Sequence, residues 1–245
     1  MTRILSGTRF AAVPMALTIM LTLAFAVQAG SVNKNIKVAA GEQSGGESTV
    51  NGSISVGAGA TISGSLSTVN GTIRVADDVR LDDAETVNGA LRLGDGVTAS
   101  SLETVNGSIR VGERGKIEGG IEAVNGRIEA NGGTVIGSGV GSVNGEIELN
   151  GVEVSGDVST VNGDVLLNDG TAVLGDVVIE KPNRWNWGSK LARKPKVIVG
   201  PGSRVDGDII AEREIDLYLS GAAQVGGVRG EVSIDDAIRF SGDRP

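Results

Sequence analysis

A short basic and aromatic segment, residues 182–196, has the side chains best suited to recognition chemistry in this chain. It carries both tryptophans and no acidic residue. Such a segment could contact anionic lipid headgroups, an anionic envelope polymer or an acidic partner surface. Alternatively, its tryptophans pack on the protein's own wall and its charges stay in solvent. The candidate contact residues are Trp185, Trp187, Arg184, Lys190, Arg193 and Lys194.

Acidic residues at equivalent repeat positions form a second group of candidates. Asp157 and Asp176 each stand between Gly and Val, and Asp208 repeats the Gly-Asp context farther along the chain. Two carboxylates one strand spacing apart could share a Ca²⁺ ion. The chain has no dedicated Ca²⁺ loop here, however, so we expect solvated aspartates near turns and no metal site.

Charged residues also recur in two outward columns. Arginines at 74, 92 and 110 are continued by Glu129 and Glu148, and a separate column holds Glu85, Glu103 and Glu122. Like charges one repeat apart repel each other. The columns are either a solvated face with weak pairing or a surface complementary to a second molecule packed alongside.

Catalysis has little support in the composition. The chain has no histidine, which removes the commonest general base and the commonest metal ligand, and no cysteine, which excludes a thiolate metal site. Only 2% of its residues are aromatic, too few for the stacking platforms of a polysaccharide-cleaving site. We therefore expect a protein that is not an enzyme and holds no cofactor.

The tripeptide Val-Asn-Gly determines how these residues are arranged. It occurs seven times, and its asparagines are separated by 19, 18, 18, 19, 19 and 18 residues. Self-similarity at a fixed short period indicates a stacked-coil architecture. The asparagines are Asn51, Asn70, Asn88, Asn106, Asn125, Asn144 and Asn162.

Each repeat contains three short strand patterns separated by Gly-rich turns. Residues 50–57 (VNGSISVG) alternate apolar and polar side chains, as a strand with one wet face does. Apolar residues recur every six positions, so three strands account for an 18-residue coil. The sequence predicts an all-β fold: a triangular, single-stranded parallel β-solenoid of 18–19 residues per coil. Right-handed winding is the default for parallel crossovers.

The Asn-Gly pair has two structural interpretations. Stacked asparagine amides could bond one another in a ladder, since each has a donor and an acceptor. Alternatively, they are turn residues that face water. In both cases we expect the glycine to supply the positive φ of a sharp corner.

The repeat pattern also gives boundaries. Residues 1–29 resemble a cleavable export signal, with Arg3 and Arg9 before an uncharged stretch and a Val27-Gln28-Ala29 cleavage site. The alternative is an uncleaved membrane anchor, because the uncharged run is near the lower length limit for a membrane span. Solenoid coils are predicted over 30–181, beginning with a degenerate coil at Asn33. An inserted Trp/basic loop covers 182–196, further coils cover 197–232, and a cap or tail covers 233–245.

The expected compartment is the periplasm or the cell surface. The formal net charge of −8 favours solubility and argues against nucleic-acid binding. Without cysteine, no disulfide is available in an oxidising compartment.

The 18-residue coils with Gly-rich turns, such as residues 105–112 (VNGSIRVG) and 203–209 (SRVDGDI), resemble those of bactofilins. The resemblance covers roughly 32–179 and 197–232. It implies a polymer-forming β-solenoid that assembles end to end without nucleotide. The same pattern resembles β-strand repeats of bacterial adhesins. We therefore expect a structural protein that self-associates or scaffolds in the bacterial envelope, with an adhesin-like binding module for an envelope polymer or glycan as the alternative.

Overall fold

The computed structural model describes residues 32–182, 193–242 and 244–245. These residues form an all-β solenoid of about ten coils, which confirms the predicted fold class. Each regular coil contributes one strand to each of three faces. A single 3₁₀ turn, Ile234–Asp236, is the helical element of the described part.

The first face is one parallel sheet of eleven strands. Its strands are Ile36–Val38, Ile54–Val56, Ile73–Val75, Leu91–Leu93, Ile109–Val111, Ile128–Ala130, Ile147–Asn150, Val165–Asn168, Lys196–Val199, Asp216–Ser220 and Ile238–Phe240.

The second face has the shortest strands, and Arg80 joins it through isolated bridges to Thr61 and Thr98. Its strands are Gln43–Ser44, Thr61–Ile62, Thr98–Ala99, Lys116–Ile117, Val135–Ile136, Glu153–Val154 and Ala172–Val173. The third face has longer strands that lead into the Asn-Gly corner. They are Glu47–Thr49, Leu66–Asn70, Asp83–Asn88, Ser101–Asn106, Ile121–Asn125, Val140–Ser142, Val158–Thr160 and Val177–Ile179. Near the C-terminus, Arg204–Ala211 and Gln224–Gly230 each run through both the second and the third face.

Every strand pairs in parallel with its equivalent in the neighbouring coil, and the register follows the sequence repeat. Ile109, for example, lies between Leu91 and Ile128. Inner positions therefore stack apolar side chains in columns, and buried members such as Ile54, Ile109 and Ile147 have no exposed surface. A single coil could not bury these side chains, so stacking supplies the core.

The glycine of the Asn-Gly corner is required for a reason other than the one expected. None of these glycines has a positive φ; that conformation occurs at the neighbouring turns, for example at Gly59 (φ 67°). A Cβ atom at Gly107 would instead lie well inside contact distance of the Gly89 carbonyl oxygen in the previous coil. Close approach of two backbones excludes any side chain at this column.

The terminal coils place polar side chains in columns that are apolar elsewhere. Glu47 pairs with Leu66 in the third face, and Ser44 pairs with Ile62 in the second. The Ser44 hydroxyl donates to Glu47 Oε1 at 2.7 Å. At the other end, Arg239 lies in register with the buried Leu219. Inward-pointing charges of this kind discourage edge-to-edge pairing of sheets.

The coil pattern resumes after the insertion and extends beyond the predicted boundary at 232. Val197 and Val199 pair with Val165 and Leu167, as the sequence alignment of the coils predicts. Strand Ile238–Phe240 then adds an eleventh strand to the first face, so part of the segment predicted as a cap or tail continues the sheet.

We predict that Gly107→Ala destabilises the fold by more than about 2 kcal/mol, because the backbone of the Gly89 coil must move to admit the methyl group. Urea unfolding followed by circular dichroism measures this change. Gly132→Ala is the matched control: nothing lies near its Cβ position and its φ is not positive. An equally small effect of both substitutions would contradict the close-approach explanation.

Candidate functional site

The Asn-Gly asparagines form a continuous hydrogen-bonded ladder along one edge of the solenoid. Each Nδ2 donates to the Oδ1 of the asparagine one coil earlier, at 2.7–3.0 Å. The structure thus contains the ladder rather than separate turn residues facing water. Most of these side chains are exposed, so the ladder binds coil to coil at the surface.

Both ends of the ladder have specific partners. Asn33 of the degenerate first coil accepts from Asn51 Nδ2 at 2.8 Å. At the other end, Arg213 Nη1 donates to Asn162 Oδ1 at 2.8 Å and to the Val161 carbonyl at 3.2 Å. Arg213 lies beyond the insertion, so its long side chain reaches back to satisfy the last amide oxygen.

A second, shorter asparagine ladder was missed at the sequence level. Asn168 Nδ2 donates to Asn150 Oδ1 at 3.1 Å, Asn150 donates to Asn131 at 3.3 Å, and Asn131 donates to the Val111 carbonyl. The signal was present, because these residues are also spaced 19 and 18 positions apart. They lack the common Val-Asn-Gly context that made the first ladder visible.

The repeated aspartates accept hydrogen bonds from backbone amides of the next coil. Asp157 Oδ1 accepts from the Asp176 amide, and Asp176 Oδ1 accepts from the Asp208 amide, both at 2.8 Å. Asp77 and Asp95 make the same bond to the following coil at 2.9 Å. These carboxylates join consecutive coils, and no cluster of three or more potential metal ligands occurs in the described residues.

The basic segment lies only partly within the described residues. Trp185, Trp187, Arg184 and Lys190 lie outside them, so their proposed contact with a partner stays a prediction. Arg193 forms an ion pair with the largely buried Asp164, and Lys194 Nζ lies 3.0 Å from Glu214. Those two cations therefore already have acidic partners on the protein itself.

The glutamate column of the third face holds carboxylates in surroundings that disfavour their charged form. Glu85, Glu103 and Glu122 stack in register, half-buried, and none of them forms an ion pair with a described residue. Burial, with smaller contributions from Glu103 and Asp83, raises the pKa of Glu85 to about 7. Burial and then Glu103 raise the pKa of Glu122 to about 7 as well. Burial and then Asp83 also raise the pKa of Glu103.

The arginine column lies on the outer side of the first face. Arg74, Arg92 and Arg110 are exposed and stack in register, and Arg110 donates to Glu129 Oε2 at 2.8 Å. Glu148 pairs instead with Arg127 of a neighbouring column. The column predicted from spacing is thus present, with pairing confined to the part where its sign changes.

Comparison with known proteins gives no family for this chain. It matches no protein-family model, no curated protein and no solved structure. The resemblance to bactofilins and adhesin repeats stays a prediction. No helix in the described ranges combines the length and apolarity needed to cross a membrane.

The glutamate column predicts a pH-dependent stability. Because its pKa values are raised in the folded protein, the folded state binds more protons than the unfolded chain, and stability falls as pH rises from about 4.5 to about 7. We expect Glu103→Gln to raise the free energy of unfolding at pH 8 by about 1 kcal/mol and to change it little at pH 4.

Glu153→Gln is the matched control for that prediction. Glu153 is exposed on the second face and pairs with Val135 and Ala172 rather than with acids. Chemical unfolding at several pH values compares the two variants. A Glu103→Gln effect that does not depend on pH, or that equals the effect of Glu153→Gln, would show that ionisation of the glutamate column does not destabilise the fold.

Proposed function

We propose that the protein is a non-enzymatic, exported structural protein that acts as a rigid scaffold in the bacterial cell envelope. The observation that supports this most is the unbroken parallel pairing of eleven strands along one face, reinforced by the asparagine ladder. Pairing of this kind makes each coil a support for its neighbours and yields a long, stiff body. Its repeated asparagines and aspartates form hydrogen bonds that join consecutive coils.

The proposed export rests on the sequence of residues 1–29, which lie outside the described residues. Their positive start, apolar stretch and small-residue cleavage site are typical of secretory signals. The scaffold would then act in the periplasm or at the cell surface.

The ends of the solenoid favour discrete rods over end-to-end filaments. If a second molecule stacked on either end, Glu47 or Arg239 would lie within a core column and would lose its hydration. The two charges lie on different faces, so stacking does not bring them together. We therefore infer that the scaffold acts as individual rods, in contrast to what the bactofilin resemblance implies.

An adhesin-like binding module is the second candidate. The observation that favours it is the exposed arginine column, which presents one sign of charge over consecutive coils. The basic segment 182–196 is the other candidate contact region. A scaffold with such a surface would also hold an envelope polymer.

Sedimentation velocity over a wide concentration range, with negative-stain microscopy of the same samples, tests this proposal. We expect the chain lacking residues 1–29 to sediment as an elongated monomer at every concentration. Glu47→Leu combined with Arg239→Leu should induce association, because it removes the charges from the terminal core columns. Arg80→Leu, on the outer side of the second face, is the control and should stay monomeric. Filaments of the unaltered chain would overturn the discrete-rod proposal and support the polymer-forming alternative.

A further inference from the structure

One outward column of the first face is divided into three chemical zones. Its residues are in register through all eleven strands. The column begins with a basic zone, continues through two glutamates and ends in apolar side chains. In order it reads Lys37, Ser55, Arg74, Arg92, Arg110, Glu129, Glu148, Leu166, Ile198, Tyr218 and Ile238.

The basic zone contains charges that have no partner among the described residues. Among the described residues, neither Arg74 nor Arg92 forms an ion pair or a side-chain hydrogen bond. Both are exposed, and their backbones are directly paired, which places them one strand spacing apart. The two guanidinium groups repel each other, and no acidic residue in the described part of the chain forms an ion pair with either of them.

The residues on both sides of these arginines in their strands are small. Two residues before each arginine in the strand direction lie Thr72, Ala90 and Ser108, and two residues after lie Ala76, Gly94 and Gly112. No large side chain covers the guanidinium groups from these neighbouring positions. Residues 74, 92 and 110 therefore form a flat basic track that runs along the solenoid axis.

The acidic zone does not need an external cation. Glu129 accepts from Arg110, and Glu148 pairs with Arg127. A second copy lying antiparallel would bring its glutamates to this track only by breaking those pairs. In this column, the charge that has no partner among the described residues is positive, so the partner that fits the column is an anion.

We propose that the basic track binds a linear polyanion that lies along the solenoid axis. Stacked arginines offer successive forked donors to carboxylate, phosphate or sulfate groups, and each can bind such a group in two-pronged geometry. The protein as a whole is acidic, with a formal charge of −8, so attraction for a polyanion has to come from local basic surfaces such as this track. The inference rests on the proposed scaffolding role for its biological setting.

Binding of two probes, polygalacturonate and inorganic polyphosphate, tests the proposal. Arg74→Gln combined with Arg92→Gln should weaken binding by about tenfold or more and should reduce the dependence of log K on log salt concentration. Arg80→Gln is the matched control, because Arg80 is an exposed arginine whose paired neighbours are Thr61 and Thr98. It should change affinity by less than about twofold. Thermal unfolding of each variant verifies that the fold is intact.

The outcomes separate the explanations. Binding of only one probe identifies carboxylate or phosphate as the recognised group, whereas binding of both indicates general oxyanion recognition. Either result supports the track if the double variant loses the binding. Binding that survives in the double variant, including binding through residues 182–196, would overturn the proposal. So would equal losses in the Arg80 variant, or no binding by the unaltered protein. The discrete-rod proposal fails separately, if the unaltered chain forms filaments in the sedimentation experiment.

Discussion

Parallel backbone pairing at one fixed register is the constraint on which the rest of this structure depends. Because each strand lies beside its own equivalent, every side chain stacks on the residue one repeat away. An apolar position that faces inward then becomes a core column. A polar position becomes a column as well, and its chemistry decides whether stacking helps. A column of asparagines satisfies its own hydrogen-bonding groups, because each amide donates to the asparagine in one neighbouring coil and accepts from the asparagine in the other. Stacked arginines or stacked glutamates cannot bond one another in this way, and their like charges repel each other.

Interruptions of the repeat show the same constraint. The insertion lengthens the separation of hydrogen-bonded equivalents from 19 residues at Asp157 and Asp176 to 32 at Asp176 and Asp208, yet the bond is kept. Loops on the outside of a solenoid are tolerated because the paired backbone does not have to change. Arg213 completes the asparagine ladder where that coil lacks an asparagine. At the two ends, Glu47 and Arg239 stand in core columns, and pairing stops there.

The sequence period predicts this fold because each residue pairs with its equivalent one repeat away, so the repeat length sets the register of the strands. The degenerate coil at Asn33, the columns through Ile54 and Val56, and the resumption at Val197 all follow from the 18–19-residue spacing. Features that depend on distances between coils could not be predicted from one strand pattern. The glycine at position 107 is needed because two backbones nearly touch, not because of its own φ. Likewise, the burial of the stacked glutamates, and the fact that no described residue pairs with Arg92, can be recognised only when the neighbouring coils are in place.

The proposed scaffold and its polyanion track both require a rigid rod in which equivalent residues of successive coils stack in columns. The rise per coil of this rod can be measured. The chain has no cysteine, so spin labels can be attached cleanly to Lys37→Cys and Ile238→Cys. These positions lie in one column at opposite ends of the eleven-stranded face. Ten steps of one strand spacing predict a narrow distance distribution centred at about 48 Å in a pulsed electron resonance experiment. A broad distribution, or a centre displaced by more than one coil spacing, would contradict continuous in-register stacking.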